Sequence, residues 1–150
     1  MELPEYVSKE EVRRVCKELA LRDWTGITQP SVTSEEASII LRVVNTRQME
    51  IAVADFQQGL EVELEHGTRY EDANVTNNHP ILTGKIVLAH LKETVDYYKR
   101  ILVAELEGDL LKAIRSRNAE TIDTKYKLLV EAHRVLTAAV AEQLKSGPVS

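Results

Sequence analysis

The chain has 150 residues and a mass of 16.9 kDa, a length that suits one domain. Nineteen basic and twenty-four acidic side chains give a formal charge of −5, which argues against a nucleic-acid partner because phosphate binding needs clustered Lys and Arg. No apolar run approaches the ~20 residues of a membrane-spanning helix. The single cysteine, Cys16, cannot form an internal disulfide and is interpreted as a core residue.

With only six Gly and four Pro, the composition favours an ordered, mainly helical protein. The first residues, MELPEYVSKEE, lack the basic and apolar regions of a signal peptide, so we expect a cytoplasmic protein. No repeat, low-complexity stretch or clear linker interrupts the chain. Residues 1–150 are therefore interpreted as a single helical domain.

Two capping boxes mark the first two helices. Ser8 is followed three residues later by Glu11, and Thr33 is followed by Glu36. At this spacing a hydroxyl and a carboxylate satisfy the free backbone donors of a helix start. Helices are predicted over residues 9–21 and 34–44.

A third helix is predicted over residues 47–66, where apolar side chains recur at intervals of three and four. Gly67 is expected to close it in a left-handed conformation. The stretch 68–79 is rich in Asn, Asp and Thr and predicts a loop. Its last residue, His79, is interpreted as the start of the next helix, because Pro80 suits a first helical turn. The apolar stripe of the third helix consists of Met49, Val53, Phe56, Leu60 and Leu64.

The helix from Pro80 is expected to bend near Thr94 and to continue into a stripe that keeps helical spacing as far as Ile114. After the polar turn 116–118, a last helix carries apolar residues at near-heptad intervals. We interpret the last two helices as an antiparallel hairpin. The predicted fold is all-α, a bundle of about five helices with a long C-terminal helix hairpin.

Glutamate and histidine residues cluster at the end of the third helix and in the fourth. Glu63 and His66 are three residues apart, as are His90 and Glu93, so each pair shares a helix face. If the intervening loop turns the chain back, two imidazoles and two carboxylates meet, and these donors suit iron, zinc or manganese. Tyr97 is expected to support a ligand by a hydrogen bond. The pattern predicts a metal- or small-ligand-binding site but assigns no reaction.

A second interpretation of the cluster is structural. Glu63 continues the apolar stripe of its helix, and His90 with Glu93 continues an apolar line of the next helix, where a charged group needs a partner. Hydrogen bonds between packed helices satisfy such groups without a ligand, as in a non-enzymatic assembly or adaptor protein. The di-iron pattern of helical bundles is met poorly, because only Glu63 and His66 have the Glu-x-x-His order.

Three segments, GLEVELEHG, NVTNNHPILTGKIVLAHLKE and DYYKR, resemble a domain family of unknown function. Its members occur as small bacterial proteins and, in looser form, inside phage-encoded polypeptides. The likeness covers residues 56–100, with a looser one in the first helix, and residues 101–145 are interpreted as a helical extension. The resemblance implies a shared purpose for its motif positions, without an activity, and gives the adaptor interpretation a possible phage connection. The motif positions are Glu63, Glu65, His66, Gly67, His90, Glu93, Tyr97 and Tyr98.

The last helix predicts self-association, because its apolar stripe is wider than one antiparallel neighbour covers. Uncovered apolar surface of this kind usually marks an interface, and a two-fold dimer is the commonest solution. We expect a homo-oligomer, a dimer through the C-terminal helix. His133, on the same helix, is interpreted as a core or interface histidine. The stripe consists of Ile122, Tyr126, Leu129, Leu136, Val140 and Leu144, beside Leu128, Val135 and Ala139.

Overall fold

The computed structural model describes residues 7–145, and in that range it contains six α-helices and no strand. The all-α prediction is therefore confirmed. The chain divides into two compact units, Met1–Val95 and Asp96–Ser150. None of the helices within residues 7–145 has the length and hydrophobicity needed to cross a bilayer. The helices are α1 (Lys9–Glu18), α2 (Ser34–Val44), α3 (Val53–Arg69), α4 (Pro80–Glu93), α5 (Tyr97–Arg115) and α6 (Ala119–Lys145).

The first two helices begin at their predicted caps. The Ser8 hydroxyl accepts a hydrogen bond from the backbone N–H of Glu11 at 3.2 Å. Thr33 and Glu36 form a complete capping box, in which each side chain accepts from the other residue's backbone N–H. α2 has its predicted bounds, whereas α1 ends at Glu18, three residues before the expected end.

The core of the first unit lies where α2, α3 and α4 pack together, and α1 packs against α4 and a short 3-10 turn at 24–26. Phe56, Leu60 and Leu64 of α3 are buried as predicted, and each such side chain contributes about 1.5–3 kcal/mol. α4 approaches α2 closely, since a Cβ at Gly84 would lie 2.5 Å from Cγ2 of Ile40. The other buried apolar residues of this unit are Val12, Val15, Cys16, Trp24, Val32, Ala37, Ile40, Val44, Val87, Leu88 and Leu91.

A buried carboxylate joins the 3-10 turn to α2. Oε1 of Glu36 accepts a hydrogen bond from Nε1 of Trp24 at 3.0 Å and lies 3.1 Å from Nε of Arg22. Trp24 is completely buried, and a buried indole N–H needs an acceptor. Glu36 therefore caps its own helix and holds the tryptophan in the core.

Both ends of α3 differ from the prediction. The helix begins at Val53 because residues 45–49 form a turn, in which the Asn45 side chain bonds the backbone N–H and carbonyl of Met49. Gly67 does not close the helix, which continues to Arg69. Its missing side chain instead leaves room for Asn78, because a Cβ at Gly67 would collide with Oδ1 of Asn78.

The predicted continuation of the fourth helix through Thr94 is wrong. α4 ends at Glu93, Thr94 is extended with φ −158° and ψ 136°, and α5 starts at Tyr97. Two β-branched residues followed by an aspartate disfavour helical backbone at this point. Residues 7–145 therefore contain six α-helices rather than about five.

In the second unit, α5 packs along α6. Nζ of Lys125 lies 2.7 Å from Oδ2 of Asp109, and Nε2 of His133 lies 3.9 Å from Oε1 of Glu107. Later residues of α6 thus lie beside earlier residues of α5. The side chain of His133 is 53% exposed, which rules out the core position considered for it.

The core between α5 and α6 is small. Val103, Leu106 and Ala132 are buried in it, and Leu129 and Leu136 pack against it while remaining partly exposed. Ala132 is the only buried residue among the 27 of α6. The α5–α6 pair therefore buries far less apolar surface than the helices of the first unit.

Candidate functional site

Glu63, on α3, lies between two imidazoles. Its Oε2 is 3.6 Å from Nδ1 of His66, one turn later in the same helix, and its Oε1 is 3.6 Å from Nε2 of His90 on α4. Both separations exceed the length of an ordinary N–H···O hydrogen bond. The Glu63 side chain is only 12% exposed, compared with 30% for His90 and 62% for His66. The structure thus brings three of the four predicted donor residues together around one shielded carboxylate.

The packing of α3 against α4 accounts for this arrangement. Leu60 and Leu64 point into the core, and Glu63 is adjacent to this buried stripe on the helix surface. His90 immediately precedes the buried Leu91 on α4, so it lies at the edge of the helix interface. The packing of the apolar faces of α3 and α4 therefore sets the distance between the Glu63 carboxylate and the His90 imidazole.

Glu93 does not join this cluster. It is exposed at the last residue of α4 and forms no ion pair within residues 7–145. The expected apolar line of α4, which included Ala89 and Glu93, is not its buried face, since Ala89 is also exposed. Because α4 approaches α2 closely at Gly84, a different set of α4 side chains faces the core. The buried residues of α4 are Pro80, Thr83, Gly84, Val87, Leu88 and Leu91.

Tyr97 is the first residue of α5 and belongs to the second unit. Its ring packs edge-to-face against Tyr98, with the ring centroids 5.2 Å apart. A supporting role for Tyr97 at the cluster stays a prediction.

A cavity of about 160 Å³ opens beside Glu63. α3 contributes Glu63, His66 and Gly67 to its wall, and α4 contributes Thr83 and Ile86. The loop between these helices closes the cavity with residues 73–76. The wall thus combines one carboxylate and one imidazole with threonine hydroxyls, an asparagine amide and aliphatic groups.

The loop that closes the cavity is anchored at the start of α4. Nδ1 of His79 accepts hydrogen bonds from the backbone N–H groups of Ile81 and Leu82, at 3.2 and 3.3 Å, so His79 is the N-cap, as predicted. Burial lowers the pKa of His79, and only a neutral imidazole has the lone pair that these bonds need. Asn78, just before it, accepts a hydrogen bond from the Asn74 amide at 3.3 Å.

Some contacts near the site were missed because they join residues far apart in the sequence. Oε1 of Glu61 on α3 accepts a hydrogen bond from the backbone N–H of Val32, 29 positions earlier in the chain, at 3.0 Å. Thr83, which lines the cavity, carries no motif that distinguishes it from a core threonine. The Asn-rich composition of the loop was the one available signal, and it predicted a turn rather than a cavity wall.

Within residues 7–145, no three His, Cys, Asp or Glu side chains are arranged to hold a metal ion. What the structure offers is a shielded carboxylate that faces a cavity. A carboxylate of this kind attracts a positive charge or accepts hydrogen bonds from a bound donor.

A model of the family described as "Protein of unknown function (DUF5661)" matches residues 12–107. The chain belongs to this family. The matched region includes the carboxylate, both imidazoles and every residue that lines the cavity, and it extends well beyond the residues 56–100 that carry the resemblance in sequence. No curated protein and no solved structure matches the chain.

Proposed function

We propose that the first unit of this family member binds a small cationic or hydrogen-bond-donating molecule in the cavity beside Glu63. The observation that carries the proposal is the position of the Glu63 carboxylate, which is 12% exposed and lines a cavity of about 160 Å³. No reaction is assigned to the site.

The charge of the wall supports a positively charged or donor ligand. Glu63 is the acidic residue among the described residues that line the cavity, and no Lys or Arg is among them. His66 is the basic neighbour, and its side chain is 62% exposed. A carboxylate that is largely withdrawn from water interacts more strongly with a cation than an exposed one does.

The size of the cavity limits the ligand. An apolar cavity of about 150 Å³ accommodates benzene, so a cavity of about 160 Å³ suits a molecule of roughly six non-hydrogen atoms. Val75 and Ile86 supply apolar contacts, and Thr76 and Thr83 supply hydroxyl groups. A short alkylamine or alkylguanidine matches this combination.

Nuclear magnetic resonance titration tests the proposal. Ethylammonium and methylguanidinium are added to the labelled protein, with propionate as the matched anion. We expect the two cations, and not propionate, to shift the resonances of Ala73, Val75 and Ile86. Glu63→Gln should abolish the shifts, whereas Glu65→Gln, which removes a charge paired with Arg69 on the same helix, should retain them. Shifts that survive in Glu63→Gln, or that propionate reproduces, overturn the proposal.

A divalent metal ion is the second candidate occupant. Two donors on one tetrahedral zinc ion, each about 2.0–2.1 Å from it, lie roughly 3.4 Å apart, close to the 3.6 Å that separates Glu63 from each imidazole. Rotation of the exposed His66 and recruitment of Glu93 would complete a donor set for iron, zinc or manganese. Calorimetry with Zn²⁺ and Mn²⁺ tests this candidate. Metal binding requires His90 and is lost in His90→Ala, whereas binding of an organic cation needs Glu63 and tolerates that substitution.

The alternative function is that of a non-enzymatic assembly or adaptor protein, with a phage connection suggested by the family resemblance. The observation that favours it is that Glu63 contacts imidazoles of both α3 and α4, so the cluster can serve to hold two helices together. In that case His90→Ala lowers the thermal midpoint, and neither the cations nor the metals bind the unaltered protein.

The predicted architecture, a helical bundle that ends in an antiparallel helix hairpin, belongs to the same proposal. It is supported in the second unit by the ion pair of Lys125 with Asp109 and by the approach of His133 to Glu107. The first unit alone would carry the ligand, because Glu63, His66 and His90 all lie in it.

A further inference from the structure

One face of the α5–α6 pair carries four large apolar side chains that are each more than half exposed. The approach of His133 to Glu107, at 3.9 Å, shows which sides of the two helices adjoin. Leu111 and Ile114 follow Glu107 by four and seven positions, so they lie on the same side of α5. The exposed fractions are 58% for Leu111, 52% for Ile114, 58% for Tyr126 and 53% for Val130.

The same reasoning places the other two residues on α6. Val130 and Tyr126 precede His133 by three and seven positions, so they share its side of the helix. Because later residues of α6 lie beside earlier residues of α5, all four residues lie between the pair of His133 with Glu107 and the turn at 116–118. We call this surface the tip patch, and it consists of Leu111, Ile114, Tyr126 and Val130.

The charged side chains beside the tip patch on α6 are already neutralised within the helix. Lys127 lies 2.6 Å from Asp123, and Arg134 lies 2.6 Å from Glu131. On α5, the exposed Glu107 and Arg115 lie on the patch side, four positions before and four positions after Leu111, and they carry opposite charges. A second copy related by a two-fold axis can therefore place Glu107 of one chain opposite Arg115 of the other. Such a surface is complementary to itself, which is the requirement for a two-fold interface.

We propose that the tip patch is the interface of a weak homodimer, in which two α5–α6 pairs meet across a two-fold axis as a four-helix arrangement. The arrangement would enlarge the small core formed by Val103, Leu106 and Ala132, as four-helix bundles do. This proposal is independent of the ligand proposed for the first unit.

The exposed area is small for a stable dimer. Four large side chains, each more than half exposed, offer on the order of 400 Å². Two copies would therefore remove about 800 Å² of patch from water, below the ~1,200–2,000 Å² of a stable complex. Neighbouring side chains at the rim add to this area, so we expect a weak, transient dimer rather than a permanent one.

Sedimentation velocity of the full chain from about 5 to about 300 µM tests the proposal. The mass should rise from 16.9 kDa toward twice that value. Val130→Glu and Leu111→Glu, which alter the patch on different helices, should each keep the protein monomeric with unchanged helicity. Leu128→Glu is the matched control, since Leu128 is 49% exposed and, two positions from Val130, lies on another side of α6.

Three results would overturn the tip patch as an interface. The first is a mass that stays at 16.9 kDa over the whole range. The second is a dimer that survives both Val130→Glu and Leu111→Glu. The third is a loss of the dimer in Leu128→Glu as large as in the patch variants. Oxidation of the Val130→Cys and Leu128→Cys variants provides a second readout, because only the former should form a disulfide dimer and the native Cys16 is buried.

Discussion

At the scale of single residues, His79 is the N-cap of α4, a position that Ser, Thr, Asp or Asn usually occupies. Its Nδ1 accepts from two backbone N–H groups of α4. Burial lowers its pKa, while Glu11 of α1 opposes this effect and Arg14 and Lys85 add to it. Protonation would remove the acceptor lone pair and leave the first turn of α4 without its cap.

The first prediction is therefore a loss of stability on acidification. The unfolded His79, with a pKa near 6.5, takes up a proton before the folded residue does. The contribution of the cap is complete above about pH 6.5 and is lost as the pH falls through the lower, folded pKa. Its loss should cost about 1 kcal/mol. Urea unfolding at about pH 7.5 and about pH 5.5, followed by the fluorescence of the single tryptophan, measures this change.

His79→Asn is the control for that experiment. Asparagine is a good N-cap and does not titrate in this range, so the variant should show a smaller difference between the two pH values. The other three histidines are present in both proteins. An equal pH dependence in both would show that His79 is not the titrating cap.

A second prediction concerns Glu36. Glu36→Ala would leave the buried indole N–H of Trp24 without its acceptor and would break the capping box of α2. The two effects together should cost about 2–4 kcal/mol. Glu35→Ala removes the same charge from the neighbouring exposed position and should change stability little. Equal unfolding midpoints for the two variants, measured by tryptophan fluorescence, would contradict the role given to Glu36.

At the scale of whole elements, two helical glycines have opposite surroundings. A Cβ at Gly67 of α3 would collide with Asn78 and would lie 2.8 Å from Nδ2 of Asn74. A Cβ at Gly108 of α5 would meet no atom within 4 Å. Substitution of glycine by alanine therefore tests side-chain packing at Gly67 of α3 and helix propensity at Gly108 of α5.

We predict that Gly108→Ala raises stability by about 0.5–1 kcal/mol, because alanine restricts the unfolded chain and favours the helix. Gly67→Ala should lower stability despite the same gain, since the buried Asn78 has to move. Thermal unfolding followed by circular dichroism compares the two. If Gly67→Ala stabilises the protein as much as Gly108→Ala does, Asn78 and its loop can move without a measurable loss of stability.

Sequence patterns predicted the elements whose signals are local. The hydroxyl and glutamate pairs at Ser8 and Thr33 marked the starts of α1 and α2, and Pro80 marked α4. Gly67 was misread because a glycine near a helix end resembles a C-cap, whereas its real cause is an asparagine eleven residues later. The end of α4 was missed because periodicity continues across the non-helical residues at 94–96.

The candidate site was predicted in part for the same reason. The spacing of Glu63 and His66 is local, and His90 joined them because α3 and α4 pack together as expected. Glu93 was included on the assumption that its side of α4 is buried. Which side of α4 faces the core depends on its close approach to α2 at Gly84. No sequence pattern within α4 reveals that contact.

At the scale of the molecule, the two compact units differ in how much they bury. α3 has four buried residues among 17, whereas α6 has one among 27. Regions with few buried contacts open at lower cost. We predict that the backbone amides of α6 exchange with deuterium faster than those of α3 in dilute protein. Mass spectrometry of peptides from both helices measures the difference, and equal protection of the two helices would contradict it.

The boundary of the family match has a consequence for other members. The match ends at residue 107, inside α5, so the buried Val103 and Leu106 belong to the shared region while all of α6, which contributes Ala132 to the same cluster, lies outside it. In a relative that ended soon after the shared region, the side chains at the positions of Val103 and Leu106 would be exposed to water. In the evolution of the family, the residue types at these two positions should therefore change together with the presence of a following helix, and a comparison of long and short members can reveal it.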